Sequence, residues 1–250
     1  MRITIDNDAA KFVVRLADTE MILGQRLCEM CSNGPFLEED IALSNVALDL
    51  IGRAEQLYKI VSEIENKGLS ADDYAYRRNE REYFCLKLVE QPNTDFAWTI
   101  TRSYLHDVYA NEVFKQLLKS DIPNLAGLSE KVLIEIRYNL THARDWMLRL
   151  GIGTEESNSR VQGAVDQMFR YVPEIFHWDV VDNKYLSDTA AIEKSWKSEV
   201  SALLKEANIK EPELMDVVMR DYREGFHSEF LGHILTEMQF LPRAYPDAKW

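Results

Sequence analysis

The stretch Leu43-Ser-Asn-Val-Ala-Leu-Asp-Leu-Ile-Gly-Arg-Ala-Glu-Gln-Leu-Tyr-Lys-Ile-Val-Ser-Glu-Ile64 sets the reading of the whole chain. Its apolar residues Leu43, Val46, Ala47, Leu50, Leu57, Val61 and Ile64 recur at helical steps, so they form one buried face of a long α-helix. That helix is predicted over about Glu38–Glu65, with Lys67-Gly68 closing it. Before it, Phe12, Val13, Leu16, Leu23, Leu27 and Met30 mark a first helix over about Ala9–Cys31, which Asn33-Gly34-Pro35 stops. After it comes a polar stretch around Ser70–Arg81, predicted as loop with a short helical turn. The break Gln91-Pro92-Asn93-Thr94 then leads into a third long helix over about Asp95–Lys119, and a fourth covers about Ser129–Leu150. Four such helices joined by short breaks outline an antiparallel bundle.

Further helices are expected near Ser157–Val172, Asp188–Ala207 and Glu213–Leu241, with an irregular segment around Asp179–Leu186. No internal repeat and no strand pair is legible. The expectation is a single all-α domain over residues 1–250, its core bundle at about 9–150 and its additional helices at about 157–241. Composition agrees: 46% apolar and 28% charged residues are ordinary globular usage, and only 10 glycines and 7 prolines argue against a turn-rich β architecture.

A net charge of -13 excludes a phosphate-tracking surface, so no nucleic-acid partner is expected, and an anionic membrane would repel the chain. The apolar runs are too short to cross a bilayer. No signal peptide is read at the start. Three cysteines, Cys28, Cys31 and Cys85, are too few for a disulfide framework and fit a reducing compartment, so a cytoplasmic location is expected. Cys28-x-x-Cys31 lacks a second pair to complete a zinc site and reads as reduced, helix-borne and structural.

Charges falling where apolar residues belong carry the chemical information. At 100° per residue, Glu20 lies close to the Leu16–Leu23–Leu27 stripe, and Asp107 sits inside the face of Ile100, Tyr104, Val108 and Phe114. Glu135 lies at the edge of the Val132–Ile136–Ala143 face, and Asp49 borders the stripe of the second helix. A buried carboxylate is costly unless paired, hydrogen-bonded, protonated or metal-bound. One carboxylate per helix is how ferritin-like di-iron sites are assembled, with a Glu-x-x-His on each of two helices. Here Asp49-Leu50-Ile51-Gly52 has glycine where the first imidazole would stand, and Glu135-Ile136-Arg137-Tyr138 has tyrosine where the second would. Arg53 and Arg137 lie beside these gaps as candidate neutralising cations. The alternative is four unrelated acids at the solvent-facing edges of their helices.

Two intact strings, Glu174-Ile-Phe-His177 and Glu224-Gly-Phe-His227, support a competing reading: a metal-dependent oxidase or oxygenase using Glu174, His177, Glu224 and His227. His106 and His142 read as hydrogen-bond donors near Asp107 and Glu135, and Glu229 with His233 as an i, i+4 pair. There is no Gly-x-Ser-x-Gly and no phosphate-binding glycine loop, so no catalytic machinery is visible.

Four segments carry a family resemblance: Gly225–Gly232 continuing through Leu235–Leu241 to Tyr245–Trp250, then Leu43–Gly52, Leu88–Asn93 and Ile136–Leu140. Through them the chain resembles the PaaC family, the structural subunits of the ring-1,2-phenylacetyl-CoA epoxidases of phenylacetic acid degradation. The resemblance implies a ferritin-like fold and a non-catalytic role beside a homologous subunit that holds the di-iron site. It also implies that Glu20, Asp49, Gly52, Asp107, Glu135 and Tyr138 match a lost metal centre. On that reading the chain carries no catalytic residue, metal or cofactor of its own. Its partner is the catalytic subunit, with self-association when isolated, and the complex epoxidises the aromatic ring of a coenzyme A thioester.

Overall fold

The computed structural model describes residues 3–214, 221–246 and 248. Among the described residues eleven α-helical segments follow one another, and there is no strand. In chain order they are α1 (Asp8–Cys28), α2 (Leu37–Glu65), α3 (Ala71–Tyr76), α4 (Lys87–Glu90), α5 (Phe96–Leu117) and α6 (Leu125–Gly151). There follow α7 (Glu155–Met168), α8 (Val172–Ile175), α9 (Asp182–Tyr185), α10 (Thr189–Glu206) and α11 (Glu229–Ala244). The all-α expectation therefore holds.

Helix ends follow the capping chemistry of the sequence. Asn7 accepts from the Ala9 N–H at the start of α1, and Asp95 accepts from the Trp98 N–H at the start of α5. Reciprocal capping boxes open α3 (Ser70 with Asp73) and α7 (Thr154 with Ser157). Helix α2 ends where Asn66 takes a left-handed conformation at φ 48°, ahead of Gly68 at φ 70°.

Several expected boundaries shift. Helix α1 stops at Cys28, so Cys31 lies in the turn beyond it rather than on the helix, and both thiols are exposed. Helix α6 begins four residues early, at Leu125, after a left-handed Asn124. The helix expected to run to Val172 ends at Met168, and a 3-10 turn (Phe169–Tyr171) leads into α8, where Pro173 takes an early helical position. The segment expected to be irregular at 179–186 contains α9.

The largest correction falls on the helix expected over Glu213–Leu241. Residues 215–220 lie outside the described residues, and α11 begins only at Glu229. Before it stand a 3-10 turn (Tyr222–Glu224) and Gly225 at φ 75°. The Arg81 backbone approaches Gly225 so closely that a Cβ there would collide with it. Positive φ and close approach both demand glycine, and neither is compatible with a helix running through residue 225.

The chain groups into two compact units: the described residues up to 92 together with those from 221 onward, and residues 93–214. In the first unit α1 packs along α2, while α3, α4 and α11 complete the core. Gly24 brings these helices close, since a Cβ there would meet Ile51 and the Ala47 carbonyl. From Phe12 to Gly24 every residue of α1 is buried, so this helix has no solvent face over three turns. In the second unit α5 packs against α6, α7 and α10. Trp196 of α10 is fully buried, donates its indole N–H to the Leu105 carbonyl at 2.9 Å, and meets the Phe176 ring edge-on at 5.3 Å.

Candidate functional site

Each of the six positions read as a lost metal centre has a defined environment. In the first unit, Glu20 on α1 is 2% exposed, and its Oε2 accepts from Nη1 of Arg53 on α2 at 2.9 Å. The pair is fully desolvated, with side chains 3% and 0% exposed. A guanidinium therefore stands where the spacing argument left a cation to be supplied. Asp49 is half-buried, as its place at the edge of the stripe implied, and the space beyond the Gly52 Cα is open to 4 Å.

In the second unit, Asp107 on α5 is 2% exposed, and its Oδ1 lies 3.0 Å from Nδ1 of the equally buried His106. The expected histidine contact is present. Glu135 on α6 is half-buried, and the Tyr138 ring is 73% exposed. Arg137 is exposed.

Glu20 is already matched by a cation, Gly52 has no side-chain donor at all, and the Tyr138 phenol faces solvent instead of the helix interior.

The residues of the competing oxidase reading are spread differently. In the second unit, Glu174 is buried on the short α8 while His177 is exposed just beyond it. In the first, Glu224 is exposed on a 3-10 turn, and the left-handed Gly225 separates it from His227, so the two do not share a helix face. His233 is exposed on α11 along with Glu229.

Two polar clusters of the first unit went unread in the sequence. In one, Arg78 is fully buried and binds both oxygens of Asp18, Nη1 reaching Oδ2 at 3.0 Å. Tyr58 donates its hydroxyl to Asp18 at 2.7 Å, and the Phe84 N–H donates at 2.7 Å. Arg78 also donates to the carbonyls of Tyr74 and Glu82, each at 2.6 Å. Burial and the Asp18 charge push the Tyr58 phenol well above its ordinary pKa, so it stays a donor.

In the other cluster His227, Glu90 and Cys85 meet. His227 Nδ1 lies 2.6 Å from Glu90 Oε1, with both side chains fully buried. Burial first, then the Glu90 charge, push the Cys85 thiol well above its ordinary pKa. The Arg26 guanidinium binds the Glu90 carbonyl, Nη2 at 2.7 Å and Nε at 3.0 Å, holding α1 to the end of α4.

Residues 1–250 match the family model described as phenylacetic acid catabolic protein. The chain is 36% identical over 249 residues to one of the 1,2-phenylacetyl-CoA epoxidase subunits of Escherichia coli (strain K12), covering 98% of this chain and 100% of that one. The chain belongs to the phenylacetic acid catabolic protein family, and its all-α fold is the ferritin-like fold of that family.

Proposed function

We propose that this family member is a non-catalytic structural subunit of a multicomponent phenylacetyl-CoA epoxidase, acting by binding the homologous subunit that holds the di-iron centre. The observation that carries the proposal is the Glu20–Arg53 pair. In a metal-binding relative, a carboxylate at the position of Glu20 would face a divalent cation; here it faces a fixed monocation on α2. With glycine and an exposed tyrosine at the two imidazole positions, neither position offers nitrogen to iron.

Exposed apolar residues support a binding role. On α2, Leu37, Ile41 and Leu48 are 70%, 54% and 66% exposed and lie on one stripe at steps of four and seven residues. On α6, Ile134 and Tyr138 form a second such pair, one turn apart. Large apolar and aromatic side chains left in water on successive turns are the composition of stable subunit interfaces. No helix among the described residues is long and apolar enough to cross a membrane. The subunit's assumed place is the cytoplasm, beside its catalytic partner.

Anaerobic loading with ferrous salt, then exposure to dioxygen, followed by metal analysis and Mössbauer spectroscopy, tests the reading. The expected result is no coupled diferric spectrum, together with co-purification of the di-iron homologue when the two are expressed together. About two irons per chain with a carboxylate-bridged spectrum would overturn it.

A further inference from the structure

The Cys85–Glu90–His227 cluster has no part in that function. Among the described residues it is a group of three potential metal ligands whose donor atoms all lie within 4.8 Å of one another. The Cys85 Sγ is 3.5 Å from Glu90 Oε1 and 4.0 Å from His227 Nδ1, and the last two atoms are 2.6 Å apart.

The surrounding backbone orients all three. His227 Nε2 lies 2.8 Å from the Tyr83 carbonyl, which can only accept, so Nε2 carries a proton and Nδ1 is turned toward the other two side chains. An imidazole that donates one N–H to a backbone carbonyl and presents its other nitrogen inward is the arrangement found at metal-ligating histidines. The second oxygen of Glu90 accepts from the Ser228 N–H at 2.7 Å, which aims Oε1 at the same point as Nδ1. At 2.6 Å the carboxylate oxygen and the imidazole nitrogen share a proton, and that proton holds the place a metal ion would take.

We infer that Cys85 Sγ, Glu90 Oε1 and His227 Nδ1 form a binding site for one zinc-class divalent cation. The donor set suits it: one sulfur, one nitrogen and one oxygen are the mix that zinc takes, and they leave one tetrahedral position for a water. The sulfur distances already approach tetrahedral edges. The Nδ1–Oε1 edge must open from 2.6 Å to roughly 3.3 Å once the shared proton leaves.

Charge balances as well. Without metal the cluster holds a neutral thiol and a carboxylate–imidazole pair sharing one extra proton, with no net charge. Metal entry expels that proton and the thiol proton, so a doubly charged cation meets one thiolate, one carboxylate and a neutral imidazole, again with no net charge. A fully buried cluster tolerates that exchange, and the cation removes the cost of a buried thiolate. Bound there, the ion would tie the loop before α4 and its last residue to the turn that precedes α11.

The test uses the full chain carrying Cys28→Ser and Cys31→Ser, so that Cys85 is its sole thiol. Metal-depleted protein is titrated with Co²⁺, then with Zn²⁺ as competitor. The expected result is one equivalent per chain with a thiolate-to-cobalt charge-transfer band, which zinc abolishes. Zinc should also raise the unfolding temperature in step with the logarithm of its free concentration. Further substitution of Cys85→Ser should remove the band, and Glu90→Gln should weaken zinc binding about 100-fold or more. Absence of the band in the two-serine protein, or its survival after Cys85→Ser, overturns the inference. If Cys85→Ser does not fold, the titration of the two-serine protein and the zinc-dependent melting still decide it.

Discussion

The two units bury different chemistry. The first is tied across the sequence by polar pairs: Asp18 with Arg78, Glu20 with Arg53 and Glu90 with His227 are all desolvated, and each links segments far apart in sequence. The second also buries Asp107 against its neighbour His106, but its long-range ties are rings: Phe96 on Trp146, Tyr109 on Trp178, and Phe169 and Phe176 on Trp196. The difference teaches what each core tolerates. An aromatic core loses area and contacts in proportion to the atoms removed. A charged core fails by halves, because removing one partner strands the other without water, whereas removing both leaves nothing to strand.

The sharpest way to break this contrast is Asp18→Ala. It leaves the buried Arg78 guanidinium facing an apolar methyl, and stability measured by urea denaturation should fall by about 3–5 kcal/mol. A loss below about 1 kcal/mol would mean that the charges of the first unit do not hold it together. In the second unit, Trp196→Phe removes the hydrogen bond to Leu105 and part of a ring but strands no charge, so about 1–2 kcal/mol should be lost.

Matched caps sharpen the comparison by serving as controls. Ser70→Ala in the first unit and Thr154→Ala in the second remove equivalent capping-box acceptors, and each should cost about 1 kcal/mol. Unequal losses would trace the contrast to local helix stability instead of core chemistry. The smallest net change is expected for the double substitution Glu20→Leu with Arg53→Met, near zero by the same urea measurement, even though Glu20→Leu alone should destabilise clearly. A large loss from the double variant would show that the pair contributes more than mutual compensation.

Helices were legible where their ends carry side-chain chemistry. Asp95 announces α5, and the Lys67-Gly68 stop closes α2 within two residues of its observed end. The helix across Gly225 was misread because the apolar spacing continues through it, and the cause of the break is the Arg81 backbone, more than 140 residues away. Asp18 was missed for a different reason. Stripe arguments assume one buried face, and α1 is buried on all faces, so a carboxylate nearly opposite Glu20 was no less enclosed. Its partner Arg78 sits just beyond α3, where periodicity offers no guide. The proposed imidazole gaps at Gly52 and Tyr138 rest on a fixed i, i+3 spacing that ties each to one helix face. The His227 cluster joins three loop or helix-end residues and leaves no periodic trace.

The first unit is assembled from two stretches of chain with the second unit lying between them in sequence. Arg26 reaches Phe230, and Gln239 donates to both the Arg78 carbonyl and the Tyr83 hydroxyl, so α11 closes around groups laid down long before it. During translation, residues 93–214 leave the ribosome as an uninterrupted piece, while α1 to α4 wait with Glu90 and Tyr83 uncovered. The part of the molecule that is made first is therefore finished last, and its exposure on the nascent chain lasts until α11 emerges.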